Sequence, residues 1–157
     1  MQPVVVSSFL PGEGHYRSKR FTVRAIECDD AFGYWRGLSS IWDGPTFVNL
    51  EHDLEVTDEQ IAELLECPQP LCSWAYQMHW ISTHLAADVY AHSNNGQLIA
   101  EGAEWADWSA IGLIKIAPEA RIAPLRQVVW GQVEQAIAEA VSGPWHMHWP
   151  AITHHHF

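Results

Sequence analysis

The feature of the sequence that most constrains its fold is an alternation of short apolar, β-prone runs with segments of helical periodicity. The strand-like runs are residues 4–6, 21–26, 46–50 and 113–116. Apolar side chains recur at helical spacing over 30–42, over a short segment that begins near Thr57, and over 125–141. Strands that alternate with helices along a chain favour an α/β fold with a largely parallel sheet.

The predicted helices have recognisable ends. Asp29 and Asp30 both suit the N-cap of the first helix, and Asp43-Gly44-Pro45 ends it. Thr57 and Gln60 form the capping-box pattern that begins the second helix. These signals fix where the chain leaves each strand and packs a helix against the sheet.

Three further stretches complete the pattern. Residues 71–90 carry Trp and His without a clear period, so both strand and helix stay open there. Residues 93–110 surround Asn94-Asn95-Gly96 and are predicted to form a loop. Residues 145–149 alternate apolar and polar side chains, which predicts a final strand.

Length and charge limit the classes of protein to consider. The chain has 157 residues, which fits a single domain over 1–157, and 8 Lys and Arg against 19 Asp and Glu give a net charge of −11. No apolar run is long enough for a membrane span, and the N-terminus lacks the pattern of a secretion signal. Three cysteines without a Cys-x-x-Cys pair indicate neither a disulfide framework nor an all-cysteine zinc site. We therefore expect a cytoplasmic protein without a membrane partner.

Two carboxylates follow the apolar run 46–50. Glu51 and Asp53 stand two residues apart where the predicted strand ends, and ligands of open α/β sheets collect outside the carboxyl ends of strands. Oxygen ligands of this kind suit Mg²⁺ or Mn²⁺ shared with substrate phosphates. The same residues also fit a solvated turn, so both interpretations stay open.

The C-terminal region is rich in histidine. His146 and His148 form a His-x-His pair, and on a strand this spacing puts both imidazoles on one face. His154, His155 and His156 follow. These side chains fit either metal ligation or a surface edge, and a histidine from this end could complete the coordination shell of the carboxylate pair.

Half of the cations of the chain fall within eight residues. Arg17, Lys19, Arg20 and Arg24 form this basic cluster, which suits either an anion such as a diphosphate or a solvated face. The cysteines have the character of structural residues, since the sequence assigns no base to activate them.

The order of these parts resembles a known family. The motifs that carry the resemblance are Tyr34-Trp35-Arg36-Gly37-Leu38, Ile41-Trp42, Glu51-His52-Asp53, Cys67-Pro68, Leu71-Cys72, Gly112-Leu113-Ile114-Lys115-Ile116, His146-Met147-His148-Trp149-Pro150 and His154. From Asp30 onward the chain is similar to small glycosyltransferase-like proteins of actinobacteria and their phages. Those proteins are distant relatives of the GT-A nucleotide-sugar transferases.

The resemblance implies a compact GT-A-like, Rossmann-like domain with a mostly parallel sheet flanked by helices. It also implies a glycosyltransferase that uses a nucleotide-sugar donor. An acidic motif in GT-A enzymes binds the divalent metal that holds the donor diphosphate, and a C-terminal histidine often adds a ligand. Carried over to this chain, Glu51 and Asp53 are the expected ligands of Mn²⁺ or Mg²⁺, with His154 as the first and His148 as the second candidate for the late ligand.

The remaining assignments follow from this interpretation. Arg17, Lys19 and Arg20 are the candidates for neutralising the donor diphosphate. A carboxylate later in the chain would accept the proton of the acceptor hydroxyl, and the candidates are Glu104, Asp107 and Glu134. The acceptor stays open; a modified base of phage DNA is one candidate, although the net charge argues against long DNA contacts.

Two alternatives come from other classes of protein. One is a catalytically silent metal- or carbohydrate-binding module that keeps the fold and has lost the donor site. The other is a virion or assembly protein whose His- and Trp-rich edges contact other subunits.

Overall fold

The computed structural model describes residues 2–81 and 86–155. Its strands are β1 (Val4–Phe9), β2 (Val23–Glu27), β3 (Phe47–Glu51), β4 (Leu71–Ile81), β5 (Ala86–Tyr90), β6 (His92–Asn94), β7 (Gln97–Leu98), β8 (Trp105–Ala106), β9 (Trp108–Ser109), β10 (Leu113–Ile116) and β11 (Trp145–Ile152). Its α-helices are α1 (Gly33–Ser39), α2 (Asp58–Glu66) and α3 (Val133–Ala140). The α/β class is therefore confirmed, and each predicted strand overlaps an observed one.

One central sheet contains most of the strands. Its order is β2-β1-β3-β10-β4-β11-β8, and β5 pairs with β4 beside this path. Pairing is parallel for β1–β2, β1–β3 and β4–β11, and antiparallel for β3–β10, β10–β4, β11–β8 and β4–β5. The predicted parallel pairing is thus present in part, and the sheet is mixed. Since β1 and β3 run side by side in the same direction, their carboxyl ends meet at one edge.

Apolar side chains pack on both faces of this sheet. Along β3, Phe47 belongs to one core cluster and Val48 to the other, as the period-2 alternation of a strand requires. Leu38 of α1 and Ile137 of α3 pack on the Phe47 side, while Ile61 of α2 packs on the Val48 side. The sheet is therefore the middle layer between helices.

Local capping determines where α2 begins. The Thr57 hydroxyl accepts a hydrogen bond from the Gln60 amide, and the Gln60 side chain accepts one from the Thr57 amide, so the predicted capping box is confirmed. None of the helices among the described residues has the length and apolar character needed to cross a bilayer.

Helix α1 is shorter than the predicted segment 30–42. Asp30 does not cap the helix; its carboxylate accepts from the Phe32 amide two residues on, so the chain turns before the first helical residue. After Ser39 the chain continues in turns, and Trp42 is nonetheless buried, with its indole N–H donating to the Ala123 carbonyl at 2.8 Å. Most of the apolar stripe is buried, with Trp35 half-buried, while the predicted helix bounds are wrong.

Helix α3 begins eight residues later than the sequence predicts. The indole N–H of Trp35 donates to the Leu125 carbonyl at 3.0 Å. In a helix that began at residue 125, this carbonyl would accept from the amide of residue 129. Val129 is 42% exposed and does not join the buried stripe of Val133 and Ile137. Tertiary contacts of the backbone thus override the helical pattern over 125–132.

Residues 93–110 contain short strands joined by turns and irregular segments, where the sequence predicts a loop throughout. A separate three-stranded sheet has the order β7-β6-β9, and β8 pairs with β11 in the central sheet. Asn95 and Gly96 have φ values of 51° and 76°, the left-handed backbone that a two-residue hairpin turn requires between β6 and β7. These strands have only two or three residues, too few for a readable alternation.

Candidate functional site

A cavity of about 250 Å³ opens at the carboxyl ends of β1 and β3. Ser8 of β1 is in register with Glu51, and the His52 amide donates to the Ser8 carbonyl at 3.0 Å as the chain leaves β3. This parallel pairing turns the segment after β3 over the edge of the sheet. The polar side chains that line the cavity include Tyr34, Glu51, Asp53, Tyr76, Glu134 and His154.

Asp53 and His154 meet in this cavity from opposite ends of the chain. His154 Nε2 lies 2.8 Å from Asp53 Oδ2 across a separation of 101 residues, and both side chains are largely buried. Two backbone hydrogen bonds hold the terminal segment in place: the His155 amide donates to the Asp53 carbonyl, and the Glu55 amide donates to the Thr153 carbonyl. The terminal segment therefore places His154 beside Asp53 of the acidic pair, and metal ligation by these residues stays a prediction.

Glu51 sits at the end of a chain of buried hydrogen bonds. The Tyr34 hydroxyl donates to Glu51 Oε2 at 3.0 Å and accepts from Asn49 Nδ2 at 2.8 Å, while the Ser8 hydroxyl donates to Asn49 Oδ1 at 2.8 Å. Burial and then the negative charge of Asp53 raise the pKa of Glu51 to about 8, against the opposing hydrogen bond from Tyr34. This carboxyl group therefore holds a proton more readily than an ordinary glutamate.

A third carboxylate enters the cavity from helix α3. Glu134 is in the first turn of α3, and burial raises its pKa, while a hydrogen bond from the Ile111 backbone opposes that rise. The other two candidates for a catalytic carboxylate lie elsewhere. Glu104 is exposed, with Oε1 3.8 Å from His146 Nε2, and Asp107 accepts a hydrogen bond from the Asn95 amide in the small sheet.

The cavity has an apolar rim above this acidic floor. Leu10, Met78 and Trp130 line it while remaining 38%, 43% and 55% exposed, respectively. A short 3₁₀ turn presents Trp130, and its amide donates to the Ala31 carbonyl at 2.9 Å. An exposed indole beside a polar floor suits a ring-shaped ligand group that has one apolar face.

The basic cluster lies away from the cavity. Arg17, Lys19 and Arg20 are exposed, and none of the three is among the described residues that line it. Their segment folds around Asp58, which accepts hydrogen bonds from the Ser18 hydroxyl and the Lys19 amide. This anchoring leaves the three cationic side chains on the surface.

His148 belongs to a different group of side chains. Its Nδ1 lies 2.6 Å from Glu63 Oε2, and its ring stacks on Trp74 with the centroids 5.5 Å apart. Ligand atoms of Cys67, Cys72, His146 and His148 all lie within 4.8 Å of one another. His148, the second candidate after His154 for the late ligand, is thus not at the carboxylate pair. His156 lies outside the described residues.

Sequence reasoning missed several residues of these two sites. Tyr34 reads as a core residue of α1, yet its hydroxyl bonds Glu51, and the usable signal is that a buried tyrosine hydroxyl needs a partner. Cys67 and Cys72 read as structural, although Cys-x₄-Cys together with His-x-His is a donor set for a soft metal. Strand order decides which histidines lie near the carboxylates and which lie near the thiols. A single sequence does not show that order.

Comparison with known proteins adds no assignment. No family model matches the chain, and no curated protein sequence matches it.

Proposed function

We propose that this protein is a metal-dependent glycosyltransferase of GT-A-like architecture. The observation that carries the proposal is the contact between Asp53 and His154 beside Glu51, in a cavity at the carboxyl ends of two parallel strands. This is the edge where open α/β sheets bind their ligands. It also agrees with the donor set expected from the resemblance.

Asp53 and His154 offer one carboxylate and one imidazole in this cavity as ligands for a divalent cation. Asp53 Oδ1 is buried, and no hydrogen-bond donor among the described residues reaches it. A buried carboxylate oxygen without a donor is costly unless a cation or water satisfies it. Asp53 and His154 would hold Mn²⁺ or Mg²⁺. Glu51 lies close enough for the negative charge of Asp53 to raise its pKa.

The charge of the cavity makes such a cation necessary for a diphosphate. No lysine or arginine is among the described residues that line it, whereas three carboxylates are. A bound divalent metal supplies the positive charge that stabilises a departing nucleoside diphosphate. No lysine or arginine of the described lining would otherwise offset the negative charge of the donor diphosphate.

Glu134 is the strongest candidate for the base of the reaction. Burial raises its pKa toward the working range of a proton acceptor. In an inverting transfer, the acceptor oxygen would bond to the anomeric carbon while the bond from that carbon to the diphosphate breaks. The hydroxyl proton would pass to the Glu134 carboxylate, and the bonding electron pair would leave with the diphosphate. Trp130 at the rim offers a face for the sugar or the base.

A matched pair of variants tests this proposal. Asp53→Asn alters a carboxylate inside the cavity. Glu55→Gln alters a carboxylate outside the cavity, where Glu55 Oε1 lies 3.1 Å from His155 Nε2. We expect binding of UDP or GDP to depend on Mn²⁺ in the unaltered chain and in Glu55→Gln, and to weaken at least about tenfold in Asp53→Asn. Isothermal titration with and without Mn²⁺ measures this. Nucleotide affinity that is equal in all three proteins would overturn the proposal.

The silent binding module remains the second candidate, because the basic cluster lies outside the cavity. The same titration separates the two. Mn²⁺ that binds through Asp53 without any nucleotide-dependent heat or thermal shift would indicate the module. A virion or assembly role stays a prediction from the sequence, and size-exclusion chromatography tests it.

A further inference from the structure

We propose that Cys67, Cys72, His146 and His148 form a second metal site, a closed tetrahedral site for Zn²⁺ that is separate from the cavity. The four side chains come from three elements. Cys67 directly follows α2, Cys72 lies on β4, and the two histidines lie on the neighbouring strand β11, where His146 is in register with Cys72. The fold thus gathers two thiols and two imidazoles from distant parts of the sequence.

The spacing of the donor atoms fits a small tetrahedral ion. One ligand atom from each residue lies within 4.8 Å of every other, and Cys67 Sγ is 3.4 Å from His146 Nδ1. Bonds of about 2.3 Å from zinc to sulfur and about 2.0 Å to nitrogen require ligand atoms roughly 3.3–3.8 Å apart in a tetrahedron. The separations between donor atoms therefore need to shrink by at most about 1.5 Å to enclose the ion.

The histidines are oriented as metal ligands usually are. His148 is 8% exposed, its Nδ1 contacts Glu63 Oε2 at 2.6 Å, and its Nε2 is buried with no hydrogen-bond partner among the described residues. A carboxylate on one ring nitrogen directs the lone pair of the other toward a metal. His146 presents Nδ1 to Cys67 Sγ at 3.4 Å, while Glu104 Oε1 lies 3.8 Å from its Nε2, beyond hydrogen-bond distance.

A buried lysine beside the Cys/His group favours negatively charged ligands there. Lys115 of β10 is 3% exposed, it is in register with Cys72, and its ammonium donates to the Cys67 carbonyl at 2.6 Å. No carboxylate among the described residues lies within ion-pair distance of that ammonium. A buried ammonium without a counterion is costly, and two metal-bound thiolates would supply one.

The chemistry of the donors selects zinc over the ion of the cavity. Two thiolates and two imidazoles form a soft, closed set, which is typical of a structural zinc site with no open position for substrate. Such an ion would tie the end of α2 to β4 and β11. Strand β11 continues beyond these histidines toward His154, which contacts Asp53 and is not part of the Cys/His group.

Metal content of the full chain tests the proposal. The protein is expressed without a histidine tag and carries Asp53→Asn, so that the carboxylate pair contributes little binding. We expect about one equivalent of zinc per chain by mass spectrometry of the metal. We also expect Co²⁺ added to metal-free protein to give a sulfur-to-cobalt charge-transfer band. That band reports thiolate ligation without altering any ligand, so it remains decisive if ligand variants fail to fold.

Two substitutions make the assignment specific. Cys72→Ser should lower the intensity of the charge-transfer band by at least about half, because it removes one of the two thiolates. It should also lower zinc affinity by more than the about 10–100-fold that loss of an outer partner causes. Cys28→Ser is the matched control, since Cys28 is also buried and lies outside the group. Absence of the cobalt band in protein that keeps all three of its cysteines would overturn the proposal. Zinc retained equally by Cys72→Ser, or a Cys67–Cys72 disulfide in freshly purified protein, would overturn it too.

Discussion

The cavity and the Cys/His group contrast in chemistry although one segment of chain serves both. The cavity combines carboxylates with His154 under an apolar rim, and it is open to solvent. The Cys/His group combines two thiols with His146 and His148 beside the end of α2, with Cys72 and His148 buried and the other two half-buried. Hard oxygen donors near solvent suit an ion shared with a substrate, whereas a soft closed set suits an ion that stabilises the fold.

The backbone of β11 separates the two sites. His146 and His148 pair with residues 72 and 74 of β4, but Ile152 pairs with residue 76, so four residues of β11 span the distance of two on its partner. This irregularity releases the strand from a regular register before the chain crosses to the segment 53–55. Histidines close in sequence therefore reach different partners.

The largest expected effect is a crossed loss of metal binding. Cys72→Ser should lose zinc and keep Mn²⁺ binding, and Asp53→Asn should lose Mn²⁺ binding and keep zinc, because the two donor sets share no residue. Each loss should exceed about tenfold in affinity. Titration of both metals into both variants measures this. Loss of both metals in either variant would show that the sites are coupled.

The next effect concerns acid stability and a histidine that belongs to neither site. His92 is fully buried, and burial lowers its pKa from 6.5 to about 3. Below pH 6.5 the unfolded chain takes up a proton at this residue that the folded chain refuses, so the free energy of unfolding falls as the pH falls toward 3. Between pH 6.5 and about 4.5 this loss is about 2–3 kcal/mol.

The variant His92→Gln isolates that contribution. Its free energy of unfolding should depend less steeply on pH over this window than that of the unaltered chain, measured by urea denaturation in the presence of a chelator. The chelator removes metal-linked protonation from both proteins. An equal slope for the two would assign the acid sensitivity to the histidines of the metal sites and the carboxylates instead.

A smaller effect probes the buried hydrogen bonds behind Glu51. Tyr34→Phe removes the donor to Glu51 and the acceptor for Asn49, which should lower the free energy of unfolding by about 1–3 kcal/mol. Tyr90→Phe is the control, since Tyr90 is only half-buried and packs edge-on against Trp149. Denaturation of both variants measures the difference, and equal stability would show that the chain of hydrogen bonds contributes nothing net.

The smallest effect is expected outside both sites. Glu55 and His155 form a pair whose side chains are 60% and 51% exposed. Glu55→Gln should change the free energy of unfolding by less than about 0.5 kcal/mol, because solvent screens exposed ion pairs. A larger loss by denaturation would mean that this pair, and not Asp53 with His154, holds the terminal segment.

Local signals predict much of the fold and part of the cavity. The capping box at Thr57 is confirmed because both of its hydrogen bonds close within four residues. Glu51 and Asp53 are at the end of a strand as predicted, since the apolar run before them is readable by itself. The start of α3 is not predictable in this way, because Trp35, some ninety residues earlier, takes the Leu125 carbonyl.

The sequence by itself determined the elements whose stabilising contacts are local: the apolar strands, the stripe of α1 that buries Leu38, and the acidic pair after β3. The tertiary structure alone decided which side chains became neighbours. It brought His154 to Asp53 and His148 to Glu63, and it gathered Cys67 and Cys72 with His146, because strand order and the irregular register of β11 set those distances. Periodicity specifies the face on which a side chain lies, whereas the partner across that face depends on how the whole chain packs.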